Sequence, residues 1–245
     1  GVSQGAPTTQ NSFNPSTLPV GSPEVYVVGY NSFDCFDISD TITITVNALP
    51  VVGLASSDLD NVICENESVV FTASGAAQYQ FFVNGASQGL PNSNNQFTTT
   101  NLLNTDTISV LGNTLGCSQL SLTEFVMTVN PNPTVSLSST DSDNIFCEGD
   151  AVTITASGAT NYEFFLNTTS TGIASTQNII DASTLTAGTY VLDVEGEALG
   201  CVNTSQLSFT IFGGASVNLV SSDIDNTVCA GETVQFTGSG ATLYE

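Results

Sequence analysis

Two kinds of side chain in this sequence could do chemistry, and both recur at regular spacing. Carboxylates come in three acidic turns with a D-x-D-N pattern: Asp58, Asp60 and Asn61; Asp141, Asp143 and Asn144; Asp223, Asp225 and Asn226. Their oxygens suit calcium, which takes about six to eight oxygen ligands, and Glu65 and Glu67, or Glu148 and Asp150, could complete the shell. The alternative is an Asx-turn, whose side chains accept hydrogen bonds from nearby backbone amides.

The same inventory argues against catalysis. A serine or cysteine nucleophile needs an adjacent base, and the chain has no His, Lys or Arg to serve as one. A pair of carboxylates, as in aspartic proteases or glycosidases, is the remaining possibility. The D-T-G motif is absent, however, and the repeated acids fall in turns. We therefore predict that the protein is not an enzyme and has no cofactor other than calcium.

The six cysteines predict disulfides rather than a zinc site, because the chain lacks both His and a C-x₂₋₄-C pattern. One set is spaced by 83 and 82 residues and the other by 82 and 84: Cys64, Cys147 and Cys229; Cys35, Cys117 and Cys201. This spacing indicates a tandem repeat of about 82 residues. Since disulfides persist in oxidising compartments, it also predicts an extracellular protein.

The repeat divides the chain into four segments. Residues 1–49 correspond to the C-terminal half of a repeat, residues 50–131 and 132–214 are complete repeats, and residues 215–245 begin another. Residue 1 falls within a repeat and residue 245 within a strand, so we expect the chain to be a window on a longer array. Proline holds itself and the preceding residue extended, so Pro50, Pro131 and Pro133 predict short, stiff junctions.

Apolar residues alternate with a period of two within each repeat, which is typical of half-buried strands. The strand after the first cysteine has three copies, with predicted inward positions Val69, Phe71 and Ala73; Val152, Ile154 and Ala156; Val234, Phe236 and Gly238. Further strands are predicted at Tyr79–Val83, Tyr162–Leu166, around Ile108 and Leu192, and from Phe125 to Val129. About seven short strands per repeat, without helical periodicity, predict an all-β tandem array of Ig-like β-sandwich domains.

We expect one disulfide within each repeat. The predicted pairs are Cys64–Cys117 and Cys147–Cys201, while Cys35 and Cys229 would pair with cysteines outside the 245 residues. Each bridge would close a loop of about 53 residues, worth roughly 4 kcal/mol by the chain-entropy estimate. A bridge across the junction, Cys35–Cys64, is the alternative, although it leaves the regular period unexplained.

The charge of the chain excludes two classes of partner. The sequence has 23 Asp and Glu and no basic residue, which gives a net charge of −23. Binding to nucleic acid requires cations, and so does attraction to anionic lipid. With 40% apolar residues the chain is expected to fold. No apolar run approaches the ~18 residues of a membrane span, so we expect no membrane insertion in this segment.

Several motifs carry a family resemblance. The T-V-N-x-x-P junctions, the C-E-G-D-x-V-T-I-T-A-S-G strand from Cys147 and the Y-E-F-F-L-N strand from Tyr162 resemble Ig-like or PKD-like repeats. Such repeats occur in the giant SprB-like adhesins that gliding bacteria export by type IX secretion, and the resemblance covers essentially the whole chain. In that family an aromatic residue, often Trp, follows the strand's Tyr, and here Phe81 and Phe164 take its place.

The resemblance implies display at the cell surface, and partners that include an extracellular substratum or surface polysaccharide, the secretion and gliding machinery, and neighbouring repeats. We therefore predict the stalk or filament region of a giant repetitive extracellular adhesin for surface attachment or gliding. One alternative is a self-assembling pilus-like filament subunit whose sandwiches exchange strands. A lower alternative is a set of carbohydrate-binding modules, which would need a row of exposed aromatic residues.

Overall fold

The computed structural model describes residues 5–15 and 17–245. Part of the predicted half-repeat 1–49, namely residues 1–4 and 16, therefore lies outside the described residues. All regular secondary structure of the described residues is β, which confirms the all-β prediction. The chain forms two compact units, residues 1–129 and residues 130–245.

The strands up to residue 130 are short and follow one another closely. They are β1 (Glu24–Val25), β2 (Val28–Tyr30), β3 (Phe36–Ile38), β4 (Ile42–Thr43), β5 (Gly53–Ser56), β6 (Val62–Cys64), β7 (Val69–Ser74), β8 (Gln78–Val83), β9 (Ala86–Ser87), β10 (Gln96–Thr99), β11 (Thr107–Thr114), β12 (Cys117–Leu120), β13 (Phe125–Val126) and β14 (Thr128–Asn130).

The second unit has fewer and longer strands. They are β15 (Ser136–Ser139), β16 (Ile145–Cys147), β17 (Thr153–Ser157), β18 (Asn161–Leu166), β19 (Thr169–Ser170), β20 (Ile179–Asp181), β21 (Gly188–Ala198), β22 (Cys201–Phe212), β23 (Asn218–Ser221) and β24 (Phe236–Ser239).

The first complete repeat is a β-sandwich. One sheet has the order β10–β7–β5, and the other has the order β12–β11–β8–β9 with β13 also paired to β11. The inward face of β7 is buried as predicted, with Phe71 at 0% exposure. Phe71 of the first sheet contacts Phe125 of the second at 5.9 Å between ring centroids, and Phe97 stacks on Phe81 at 5.6 Å. These aromatic contacts join the two layers.

The second complete repeat has the same two-layer plan. Its sheets have the orders β15–β17–β20 and β16–β22–β21–β18–β19, and β16 joins β22 in parallel. Ile154, Leu192 and Val194 are wholly buried between the layers. Phe209 stacks on Phe146 and on Tyr190 at 5.6 and 5.4 Å. The Ig-like sandwich predicted from the alternating pattern is therefore present in both complete repeats.

Two strand predictions differ from the structure. The predicted strand Phe125–Val129 is divided at Met127, whose backbone N–H donates to Asp106 and whose carbonyl accepts from Thr105. The predicted inward face of Val234, Phe236 and Gly238 is not buried. Strand β24 pairs only with β23, and within the described residues no second sheet covers this ribbon. Phe236 is consequently 63% exposed, whereas Phe71 at the equivalent position is covered.

Candidate functional site in the acidic turns and cysteines

The second acidic turn is closed by hydrogen bonds to its own backbone. The Oδ1 atoms of Asp141 and Asp143 both accept from the backbone N–H of Ile145, at 3.1 and 3.0 Å. Asn144 adopts φ 59°, a left-handed conformation that Asn tolerates better than most residues. The backbone N–H of Asp141 donates in turn to Ser139 Oγ at 3.1 Å. These are the contacts of an Asx-turn.

The other two turns repeat this geometry closely. The N–H of Val62 donates to Oδ1 of Asp58 at 3.2 Å and of Asp60 at 3.0 Å. The N–H of Thr227 donates to Oδ1 of Asp223 and Asp225, both at 3.0 Å. Asn61 and Asn226, which end these turns, have φ 62° and 57°. The structure thus brings the two aspartates of each predicted set together on one amide.

Paired carboxylates in such a turn influence each other. The pKa of Asp141 lies below its ordinary value, chiefly because its carboxyl is hydrogen-bonded to the side chain of Asp143. Desolvation opposes this shift, and hydrogen bonds from the backbone of Ile145, Asn144 and Asp143 reinforce it. Hydrogen bonding to the charged form favours ionisation, so the turn holds Asp141 as a carboxylate at neutral pH.

The side chains that were expected to complete a calcium shell have other partners. Glu67 Oε2 accepts from the backbone N–H of Cys64 at 2.9 Å, and Asp150 Oδ2 accepts from that of Cys147 at 2.8 Å. In the part of the chain that the structure describes, no group of three or more His, Cys, Asp or Glu side chains could hold a metal ion. The buried Oδ1 atoms of Asn61 and Asn144 have no hydrogen-bond partner. This geometry favours the Asx-turn interpretation, and the calcium site stays a prediction.

The predicted disulfides within each repeat are wrong. The structure contains one disulfide, formed by Cys64 and Cys201. Their expected partners, Cys117 and Cys147, have free thiols, as do Cys35 and Cys229. The bond therefore joins the first cysteine of one repeat to the second cysteine of the next, which also differs from the alternative pair Cys35–Cys64.

The second repeat shows why its own two cysteines cannot pair. Cys201 is the first residue of β22, and Cys147 pairs with Phe212, the last residue of the same strand. At the usual rise of a β-strand the two ends of β22 lie roughly 36 Å apart. A disulfide requires Cα atoms within about 7 Å. Each complete repeat therefore carries one cysteine at each end, and we call these ends proximal (Cys117, Cys201) and distal (Cys64, Cys147).

The proximal cysteine lies against the linker by which the chain reaches the repeat. Asn130 Nδ2 donates to the carbonyl of Leu199 at 2.9 Å, and the sulfur of Cys201 lies 3.8 Å from the Asn130 carbonyl oxygen. The first unit repeats this clamp. Asn47 Nδ2 donates to the Leu115 carbonyl at 3.1 Å, and Cys117 Sγ donates to the Asn47 carbonyl at 3.8 Å.

Sequence reasoning missed this clamp and a second recurring contact, the tyrosine hook. Tyr79 Oη donates to the Ala76 carbonyl at 2.7 Å and accepts from the Ala76 N–H at 2.9 Å. Tyr162 makes the same pair of bonds with Ala159, both at 2.8 Å. The repeated T-V-N and S-G-A-x-x-Y patterns were the available signals. Each places a side chain at constant distance from a turn.

No protein-family model matches the chain, and no curated protein matches it significantly. Solved structures similar to it include the fibronectin(III)-like modules of Clostridium thermocellum CbhA, at 9% identity and a TM-score of 0.40 over 66% of this chain and 95% of that one. Murine CEACAM1b shows 13% identity and a TM-score of 0.34, covering 66% of this chain and 100% of its own. The FN1–FN3 domains of chicken CNTN1 show 11% and 0.32, over 76% and 74%. At these values the fold class rests on the sheets themselves.

The sheets place the protein among all-β proteins with Ig-like sandwiches. Among the described residues there is no helix that is both long and apolar enough to cross a membrane.

Proposed function

We propose that this chain is a stalk region of a large repetitive extracellular adhesin, in which it acts as a mechanical spacer. The observation that supports this proposal is the use of equivalent polar side chains in both complete repeats. The acidic turns bind their own amides, the tyrosine hooks bind their own turns, and Asn47 and Asn130 bind the next repeat's proximal hairpin. Repetition of a scaffold, rather than of a site, is expected of a spacer.

The surface of the chain offers little for catalysis or for tight ligand binding. An open groove of about 420 Å³ beside β10 is lined by Val83, Phe97, Thr99, Leu102 and neighbouring polar residues, without an acid or a base. Catalytic sites need titratable groups in register with a pocket. A disulfide also requires an oxidising compartment, which supports a location outside the cytoplasm and, on our proposal, at the cell surface.

The proposal predicts where and how the natural protein is found. Antibodies raised against the 245-residue chain should label intact producing cells and should detect a very large polypeptide on a denaturing gel. A small labelled subunit would instead favour the pilus-like filament. Labelling only after cell lysis would contradict surface display.

Carbohydrate binding is tested separately with the purified chain on a glycan array and by calorimetry with surface polysaccharide. A spacer should give no saturable binding at micromolar concentration. Saturable binding that is lost with Phe97→Ala, in the groove beside β10, would support the carbohydrate-binding alternative. Phe236→Ala, which changes an exposed ring elsewhere, is the control.

A further inference from the structure

We infer that the disulfide of Cys64 and Cys201 limits how far the chain can be extended, and that reduction releases this limit. The inference rests on the proposed mechanical role, but it follows from covalent connectivity alone. Tension applied to the two chain ends passes from residue 64 through the two sulfur atoms to residue 201. Residues 65–200 form a closed covalent loop that carries no tension and adds no length.

Most of the folded core lies inside this loop. Phe71, Val110 and Met127 of the first core, and Ile154 and Val194 of the second, all fall between the bonded cysteines and are at most 1% exposed. Strands β7 to β21 are therefore shielded from end-to-end force while the bond is intact. Strand β22 follows Cys201 and remains in the force-bearing path.

The bonded cysteines differ in their exposure to reductants. Cys201 is 1% exposed and packs against Asn130, whereas Cys64 is only partly buried. A dithiol reductant would attack through its thiolate to form a mixed disulfide. Its second thiol would then release the protein as two thiols, so that the reductant becomes the disulfide and loses two electrons and two protons. Partial burial predicts that reduction by this route is slower than for an exposed disulfide.

The released length is large enough to measure. Residues 65–200 correspond to about 450–490 Å of extended chain. The pairing that the sequence suggested would give another value. Loops 65–116 and 148–200 together hold about 350–380 Å. The length gained on reduction therefore reports which cysteines are bonded.

The test is stretching of single 245-residue molecules between handles attached at their ends, with and without a dithiol reductant. We expect the fully extended oxidised chain to be about 450–490 Å shorter than the reduced chain. Cys64→Ser should show the reduced length under both conditions. Cys117→Ser, which removes a free thiol of similar context, should behave like the unmodified chain.

Two outcomes would overturn the inference: no change of length on reduction, or a gain near 350–380 Å. Neither depends on where the natural protein is displayed. Loss of cell-surface labelling would remove the proposed function and leave the measured length unchanged, so the two failures are distinguishable.

Discussion

Cys147 and Cys201 lie at opposite ends of the second repeat, because Cys147 pairs with the residue that ends the strand begun by Cys201. A repeat with this arrangement presents one sulfur at each end. Its two cysteines are available to other repeats and not to each other. The regular 82-residue spacing of both cysteine sets is thereby explained without a bridge inside any repeat.

The tyrosine hook should contribute measurably to stability. In Tyr162→Phe the Ala159 N–H and carbonyl lose the hydroxyl that satisfies both. We expect the free energy of unfolding to fall by about 1–3 kcal/mol, the cost of leaving such groups unpaired. Tyr190→Phe removes an exposed hydroxyl that donates to Thr186 at 2.9 Å and should have a smaller effect. Equal effects of the two variants in denaturant titrations would contradict a structural role for the hook.

Gly196 should not tolerate a methyl group. A Cβ there would lie 2.6 Å from Val135 Cγ2 and 2.8 Å from Ala159 Cβ. Such overpacking typically costs about 1–3 kcal/mol, so Gly196→Ala should lower the melting temperature. Adding Val135→Ala should recover part of the loss. Gly172→Ala, where nothing lies within 4 Å of the new Cβ, is the control. Equal stability of the Gly196 and Gly172 variants would show that the two layers are not closely packed here.

Much of the fold follows from the sequence because one face of each strand must be buried. The period of two placed Phe71, Ile154, Val110 and Val194 correctly in the core. The size of the aromatic residue also agreed, since Phe81 and Tyr79 are both buried where the family resemblance placed a core ring. Alternation could not predict that Phe236 would stay exposed, because burial requires a second layer and not only a pattern.

The cysteine pairing could not be read from spacing. Sequence distance reports how many residues separate Cys147 from Cys201, but not how many strands run between them or in which direction. The parallel pairing of β16 with the end of β22 places Cys147 at the distal end. This is a tertiary fact. The acidic turns were more readable, because an Asx-turn is made within a few residues.

Acid should destabilise the second repeat through Glu197. Its carboxylate accepts from Asn161 Nδ2 at 2.7 Å and from the Gly200 N–H at 2.8 Å. These hydrogen bonds, that of Asn161 first, hold the pKa of Glu197 below its ordinary 4.5. A lowered folded-state pKa gives stability that is present above the unfolded pKa and is lost as the pH falls through the folded value.

The melting temperature of the unmodified chain should therefore fall more steeply between about pH 5 and pH 3 than that of Glu197→Gln. Glu195→Gln, an exposed position two residues earlier, provides the same change in charge and should follow the unmodified chain. Parallel curves for all three proteins would remove Glu197 as the cause.

The acidic turns are expected to stabilise the fold without a metal. Asp141→Ala removes one of the two carboxylates that accept from Ile145, so its melting temperature should fall. The loss should be equal in calcium and in chelator. Glu148→Ala, a neighbouring loss of one charge, is the control. A melting temperature that rises on addition of calcium, and that Asp141→Ala makes insensitive to calcium, would instead establish the predicted calcium site.

The covalent connectivity is the central claim, and non-reducing peptide mapping tests it most directly. Trypsin has no site because the chain has no Lys or Arg, so the oxidised chain must be digested with a glutamate-specific protease and pepsin. Mass spectrometry should detect one crosslinked peptide that joins Cys64 to Cys201, with Cys117 and Cys147 alkylated as free thiols. Peptides joining Cys64 to Cys117 and Cys147 to Cys201 would contradict the account.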